Sequence, residues 1–232
     1  AIQLDYDAIT KNRTSAVLSN SNQIAGIKNI FVEEGAKVEF SILNATEGPI
    51  YIGKDAEIME GSMIRGPFVL GEHATIKMGA KIYGATTVGP YCKVGGEVSN
   101  SIFQAYSNKG HDGFVGNSVI GEWCNLGADT NSSNLMNTYG KVKMHSYQTG
   151  KIEQTDITFC GVLMGDHSKT GINTMLNTAT VVGVHANIFG AGFPAKYIPS
   201  FTWGATESNE KFKLKKAFEV ATNMMARRNV EL

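Results

Sequence analysis

Branched aliphatic residues recur every six positions through the middle of the chain, at Ile52, Ile58, Ile64, Leu70, Ile76, Ile82, Val88 and Val94. Four residues after each of the first seven comes Ala56, Ser62, Phe68, Ala74, Ala80, Thr86 or Cys92, so a second inward position is mostly small. An amphipathic helix spaces its apolar residues three and four apart and a half-buried strand spaces them two apart, so a strict six fits neither. It predicts a short strand plus a turn, repeated. The series resumes at Phe114, Ile120 and Leu126, with Ser118, Cys124 and Thr130 in the small position. It resumes again at Met164, Thr170, Leu176, Val182 and Ile188, where only Thr170 breaks the aliphatic rule. Strands this short cannot bury an inner face alone, and stacked coils sharing one core meet that need, so the pattern predicts an all-β chain wound as a parallel β-helix.

The period also sets boundaries. Residues 1–28 fall outside it and read as an irregular lead-in. Residues 29–204 read as the β-helix, and residues 205–232 as a C-terminal α-helix, because Phe212, Leu214, Ala217, Phe218, Ala221 and Met225 give Glu207 to Arg228 an amphipathic pattern. That helix would cap the last coil against edge pairing or pack on a neighbour. The first residue is Ala1 rather than Met, so the chain reads as the C-terminal part of a longer protein, with the lead-in as a linker remnant. Two stretches leave the period, Ser99 to Gly113 and Asn131 to Gly161 (the loop 131–161). Insertions in a solenoid leave its core and line binding surfaces, and a loop as long as the second is usually functional or disordered.

Composition narrows the function classes. Lys plus Arg and Asp plus Glu number 21 each, so there is no global field to gather nucleic acid or an anionic membrane, and any anion site must be local. Cys92, Cys124 and Cys160 show no paired spacing and read as reduced thiols of a cytoplasmic protein. No stretch is long and apolar enough to span a membrane. The five histidines, His73, His111, His145, His167 and His185, lack the closely spaced pair of a zinc site, so no metal is expected. A Walker phosphate loop and a nucleotidyltransferase glycine signature are absent.

The alternation of aliphatic and small hexads resembles the left-handed β-helix acyltransferases of the hexapeptide-repeat class, which implies a left-handed parallel β-helix over roughly residues 30 to 200. Ser107-Asn108-Lys109-Gly110-His111, followed by Val115-Gly116-Asn117-Ser118-Val119-Ile120-Gly121 and Asn125-Leu126-Gly127-Ala128, is similar to the acetyltransferase domain of the bifunctional glucosamine-1-phosphate acetyltransferase/sugar-1-phosphate nucleotidyltransferase family. The resemblance implies transfer of an acetyl group from acetyl-CoA to the amine of an amino-sugar phosphate by a homotrimer. It implies that His111 is the catalytic base, and a neutral imidazole is suited to take a proton from an amine near pH 7. It places Asn125 and Asn134 at the sugar and acetyl group, with Asn125 in the catalytic set, and Lys141 at the substrate from a neighbouring subunit. It places Asn173, and Ala191 and Lys196 of Gly190-Ala191-Gly192-Phe193-Pro194-Ala195-Lys196, near the CoA arm.

The chain departs from that family at the sugar phosphate, where an arginine and a lysine have Tyr83 and Ser99 as their nearest counterparts. Lys81, Arg65 or Lys109 would have to replace the missing charges, and Tyr83, Lys81 and Lys109 are carried as substrate-binding candidates. The alternative is a non-catalytic trimerisation or regulatory module of a sugar-1-phosphate nucleotidyltransferase.

Overall fold

Each hexad forms one side of a three-sided coil. The structure, a computed structural model describing residues 1–205 and 209–232, stacks these sides into three parallel sheets. Face one has eight strands, from Gln23–Ala25 through Met63–Arg65, Lys81–Ile82 and Glu97–Ser99 to Met175–Leu176. Face two has nine strands, from Ile30–Val32 to Tyr197–Ile198. Face three runs from Lys37–Val38 to Asn108–Lys109, passes through single-residue bridges at Asn125, and continues as Lys169–Thr170, Asn187–Phe189 and Thr202–Ala205. The winding is that of a parallel β-helix.

Register keeps one inner column per face. On face three Val38, Ile58, Ile76 and Val94 stand opposite one another in successive coils, and a slip of one residue would turn every one of them outward. Ile52, Ile76, Val88 and Val94 are completely buried, as are Ala56, Ala74, Ala80 and Cys92 in the small column. Each large aliphatic contributes roughly 1.5–3 kcal/mol of burial free energy. Thr170 stands in an aliphatic slot because its hydroxyl is satisfied inside the core, 2.7 Å from Thr130 Oγ1 and accepting from the Gly127 amide at 3.0 Å.

Two expectations need correction here. Ser99 to Gly113 is not an excursion but a further coil with shortened corners, whose inward residues are Val98, Phe103 and Lys109. Phe114 is only half-buried, and its neighbour Val115 lies inside opposite Val98. The corners lose residues after Val94, so counting in sixes lands one place early.

One corner carries a continuous stack of rings. His73, Tyr91, Tyr106, Trp123, His167, His185 and Phe201 all have φ between 53° and 60°, and their successive centroids lie 4.1–6.2 Å apart. A non-glycine residue in the left-handed region is uncommon, and coil stacking holds each one there.

The ends are covered. The lead-in contains a helix, α1 (Ile2–Thr10), that buries none of its residues, so it is not wholly irregular. Downstream, Ala16 donates to the Val32 carbonyl at 2.8 Å, and Gln23–Ala25 already pairs with Ile42–Asn44, so regular pairing begins before residue 29. At the other end Asn209–Lys211 pairs antiparallel with Thr202–Ala205, and α2 (Leu214–Ala226) follows. Glu207, where the helical pattern was expected to begin, lies outside the described residues.

Between Ser132 and Val162 the chain leaves the coils and forms a hairpin of Lys143–Ser146 and Lys151–Gln154. It folds back on face two of its own chain. His145 stacks on Tyr197 with ring centroids 3.5 Å apart, and Val142, Cys160 and Ala179 form a small second core. No helix among the described residues is long and apolar enough to cross a membrane.

Candidate active site

Helix α2 lies over face three. Its 13 residues span about 20 Å at 1.5 Å per residue, close to four coil spacings of about 4.8 Å. Phe218 near its start leans on His185, with centroids 6.0 Å apart, and Arg228 just past its end reaches Asn108, Nη2 to Oδ1 3.5 Å. The helix therefore runs back along the solenoid, from the coil of His185 to that of Asn108. Ala217, Ala221 and Met225 form its buried stripe. Between its C-terminal end and the coils lies a cleft of about 930 Å³.

The floor of this cleft follows from strand alternation. With Lys109, Leu126 and Thr170 inward, the residues on either side face out, so Gly110 and Gly127 leave bare backbone in the floor beside Asn108, Asn125 and Lys169. A Cβ on Gly127 would meet the Gly171 carbonyl carbon at 2.5 Å, whereas a Cβ on Gly110 would meet nothing within 4 Å. The first glycine is needed for coil packing and the second leaves room. His111 follows Gly110 at the corner, exposed, and its imidazole makes no hydrogen bond among the described residues. The half-buried Asn125 lines the same cleft with its side-chain amide uncommitted among the described residues.

Lys109 extends the inner column opposite Val94 and is almost fully buried. Its ammonium donates to the His111 and Asp112 carbonyls, the latter at 3.1 Å, so it ties down the turn that presents His111 instead of reaching ligand. Burial pushes its pKa down to about 8, against an opposing pull from Asp112 and Asp129.

The cleft is strongly positive. Lys77, Lys93, Lys169, Arg227 and Arg228 line it, and among the described residues no carboxylate does. Burial holds the Lys93 ammonium below its ordinary pKa, and Arg228, Lys77 and Arg227 push the same way, with Glu57 opposing. Lys169 is lowered by burial and donates to the His167 carbonyl at 2.8 Å. A floor of bare backbone, an uncommitted imidazole and amide, and an excess of cations suit an anionic ligand bearing a group that loses a proton.

No family model matches the chain. A bifunctional sugar-1-phosphate nucleotidylyltransferase/acetyltransferase of Sulfurisphaera tokodaii is 35% identical over 160 residues, covering 68% of this chain and 37% of that protein. The bifunctional protein GlmU of Methanocaldococcus jannaschii is 36% identical over 87 residues, 38% of this chain and 21% of the relative. The chain is a homologue of these bifunctional nucleotidylyltransferase/acetyltransferases. It spans well under half the length of either relative. An Arabidopsis UDP-N-acetylglucosamine acyltransferase structure aligns over 92% of this chain and 80% of its own, at 13% identity and a TM-score of 0.37, too loose a likeness to add to the assignment.

Among the residues that the bifunctional family suggested, His111 and Asn125 meet in the cleft, and Asn173 is next to its wall residue Ile172. The rest are elsewhere. Lys81 and Tyr83 belong to face one, where Lys81 Nζ pairs with Glu97 at 3.4 Å; Arg65, on the same face, pairs with Glu47 at 3.5 Å. Asn134 donates to Asn117 Oδ1 at 2.7 Å at the root of the inserted loop, and Lys141 donates to the Asp156 carbonyl within it. Ala191 and Lys196 sit at the corner before the last face-two strand, outside the cleft lining. Sequence reasoning missed Lys77, Lys93, Lys169, Arg227 and Arg228. Lys93 and Lys169 stand at outward strand positions of the repeat and Lys77 directly follows the inward Ile76, a signal available from the hexad count; the arginines required the path of α2.

Proposed function

We propose that this chain is an acyltransferase that moves an acetyl group from acetyl-CoA to the amine of an amino-sugar phosphate, with His111 as general base and Asn125 as the amide facing the reacting carbonyl. The observation that carries this reading is the pairing of an exposed, uncommitted His111 with Asn125 on a glycine floor inside a cation-lined cleft. Homology to nucleotidylyltransferase/acetyltransferases supports it.

In the reaction the amine nitrogen attacks the thioester carbonyl while His111 accepts its proton. Asn125 donates to the developing oxyanion, which is stabilised most where water is excluded. The C–S bond then breaks, and His111 returns the proton to the departing CoA thiolate. Lys109, holding the carbonyls of His111 and Asp112, keeps the base in place. The working unit on this reading is a cytoplasmic homotrimer, in which Asn134, Lys141, Ala191 and Lys196 would serve a neighbour's ligand.

The test is mass-spectrometric detection of the N-acetylated product from acetyl-CoA and a panel of amino sugars with and without phosphate. Product formed by the natural chain and absent with His111→Gln supports the reading. A folded chain that acetylates no member of the panel is instead a scaffold module.

A further inference from the structure

The cations of the cleft come from two parts of the chain far apart in sequence. Lys77 and Lys93 stand on face three, while Arg227 and Arg228 arrive just past the C-terminal end of α2, and among the described residues no carboxylate lines the space between them. The chain as a whole is neutral, with 21 cationic and 21 anionic side chains, so this concentration is local. An arginine just beyond a helix C-terminus ordinarily complements the helix dipole. Here a second observation points further: Arg228 turns back onto the sheet to Asn108 Oδ1 at 3.5 Å, and, after burial, Arg228, Lys77 and Arg227 all push the Lys93 ammonium below its ordinary pKa, with Glu57 opposing. Like charges gathered this way are unfavourable unless something of opposite charge joins them.

We propose that Arg227 and Arg228, together with Lys77 and Lys93, form a phosphate-ester site on the sheet side of α2, anchoring the ligand whose reacting end lies at His111 and Asn125. The identity of the ligand rests on the acyl-transfer reading; its negative charge does not. Guanidinium groups match a phosphate with paired N–H donors, and ammonium groups add point charges. The site is built within one chain, and it replaces the charges that face one lacks, where Lys81 and Arg65 are already paired with carboxylates. Helix α2 is thereby a wall of the binding site as well as a cover for the coils. Two phosphates satisfy the chemistry, that of an amino-sugar phosphate and the 3′-phosphate of CoA.

The experiment is calorimetric titration of the full chain and its Arg227→Gln/Arg228→Gln variant with CoA, dephospho-CoA, glucosamine-1-phosphate and glucosamine, with circular dichroism and melting to show that α2 remains folded. The proposal expects the variant to lose about tenfold or more in affinity for one phosphorylated ligand, while its unphosphorylated counterpart binds unchanged. The pair that shows this loss identifies the source of the phosphate. Lys93→Gln, far in sequence from α2, should show the same selectivity with a smaller loss. Equal losses for both members of each pair, no loss for any ligand, or no binding of any ligand by the natural chain would overturn it. Selective loss in a protein that transfers no acetyl group would leave this site standing and remove the acyl-transfer reading.

Discussion

Two grooves of similar size lie on different faces of this solenoid, and their chemistry is opposite. The cleft between face three and α2 encloses about 930 Å³, and the groove between the inserted hairpin and face two about 1040 Å³. The second is lined largely by Met144, Tyr147, Leu163, Val181 and Val182, and its rings satisfy one another, with His145 and Tyr147 both packed on Tyr197. The first offers bare backbone and, among the described residues, an imidazole and an amide without hydrogen bonds and cations without a carboxylate partner. Volume does not separate the two; unmet chemistry does. The long insertion built a second small core, whereas the candidate site lies on the regular repeat, where outward side chains shrink to glycine.

The comparison breaks most visibly at His111. His111→Gln should lower kcat by about 10²–10⁴, the usual worth of a general base, while Tyr147→Ala in the other groove leaves kcat within about threefold of the natural value; steady-state release of CoA thiol measures both. Next comes the floor. Gly110→Val should raise KM by about tenfold or more with stability changed by no more than about 1 kcal/mol, because its side chain enters the open cleft. Gly127→Ala, whose Cβ strikes the next coil, should instead cost about 1–3 kcal/mol of stability in denaturant titration.

Lys109→Met should destabilise by about 1–3 kcal/mol, since the His111 and Asp112 carbonyls lose their donor, and should lower kcat with KM little changed. A fall in stability with kcat intact would confine Lys109 to the core.

The smallest effect concerns the helix wall. Burial, with His185 and Lys169 nearby, holds His167 down at about 4 while Asp166 opposes, and burial also lowers His185. Both imidazoles are favoured neutral in the fold, so the unfolded chain binds more protons between about pH 6.5 and 4. Their stabilisation is complete above the unfolded value and is lost as pH falls through that window. The melting temperature should decline across it, and His167→Phe, continuing the ring stack in the manner of Phe201, should flatten the decline.

How far the sequence revealed this follows from the same residues. The inner column from Ile52 to Val94 was legible because a strict six admits one geometry, and the motif around Gly110 pointed to His111 and Asn125, which the fold brings into one cleft. The coil of Phe103 and Lys109 was not, because its shortened corners broke the count, and a lysine in an aliphatic slot looks like a surface residue. Lys109 was accordingly expected at the substrate and lies in the core. Lys81 and Tyr83 followed family position, yet face assignment puts them on face one, away from the cleft. Arg227 and Arg228 were beyond reach, since no local pattern states that α2 runs back over four coils.

The most direct test of the account is amine-reactive footprinting of lysines with and without acetyl-CoA. Lys77 and Lys93 report on the cleft, and the exposed Lys143 and Lys151 report on the hairpin that covers the other groove. The account predicts that acetyl-CoA protects Lys77 and Lys93 and leaves Lys143 and Lys151 reactive. Protection of the hairpin lysines with the cleft lysines unchanged would place the ligand in the apolar groove and contradict it.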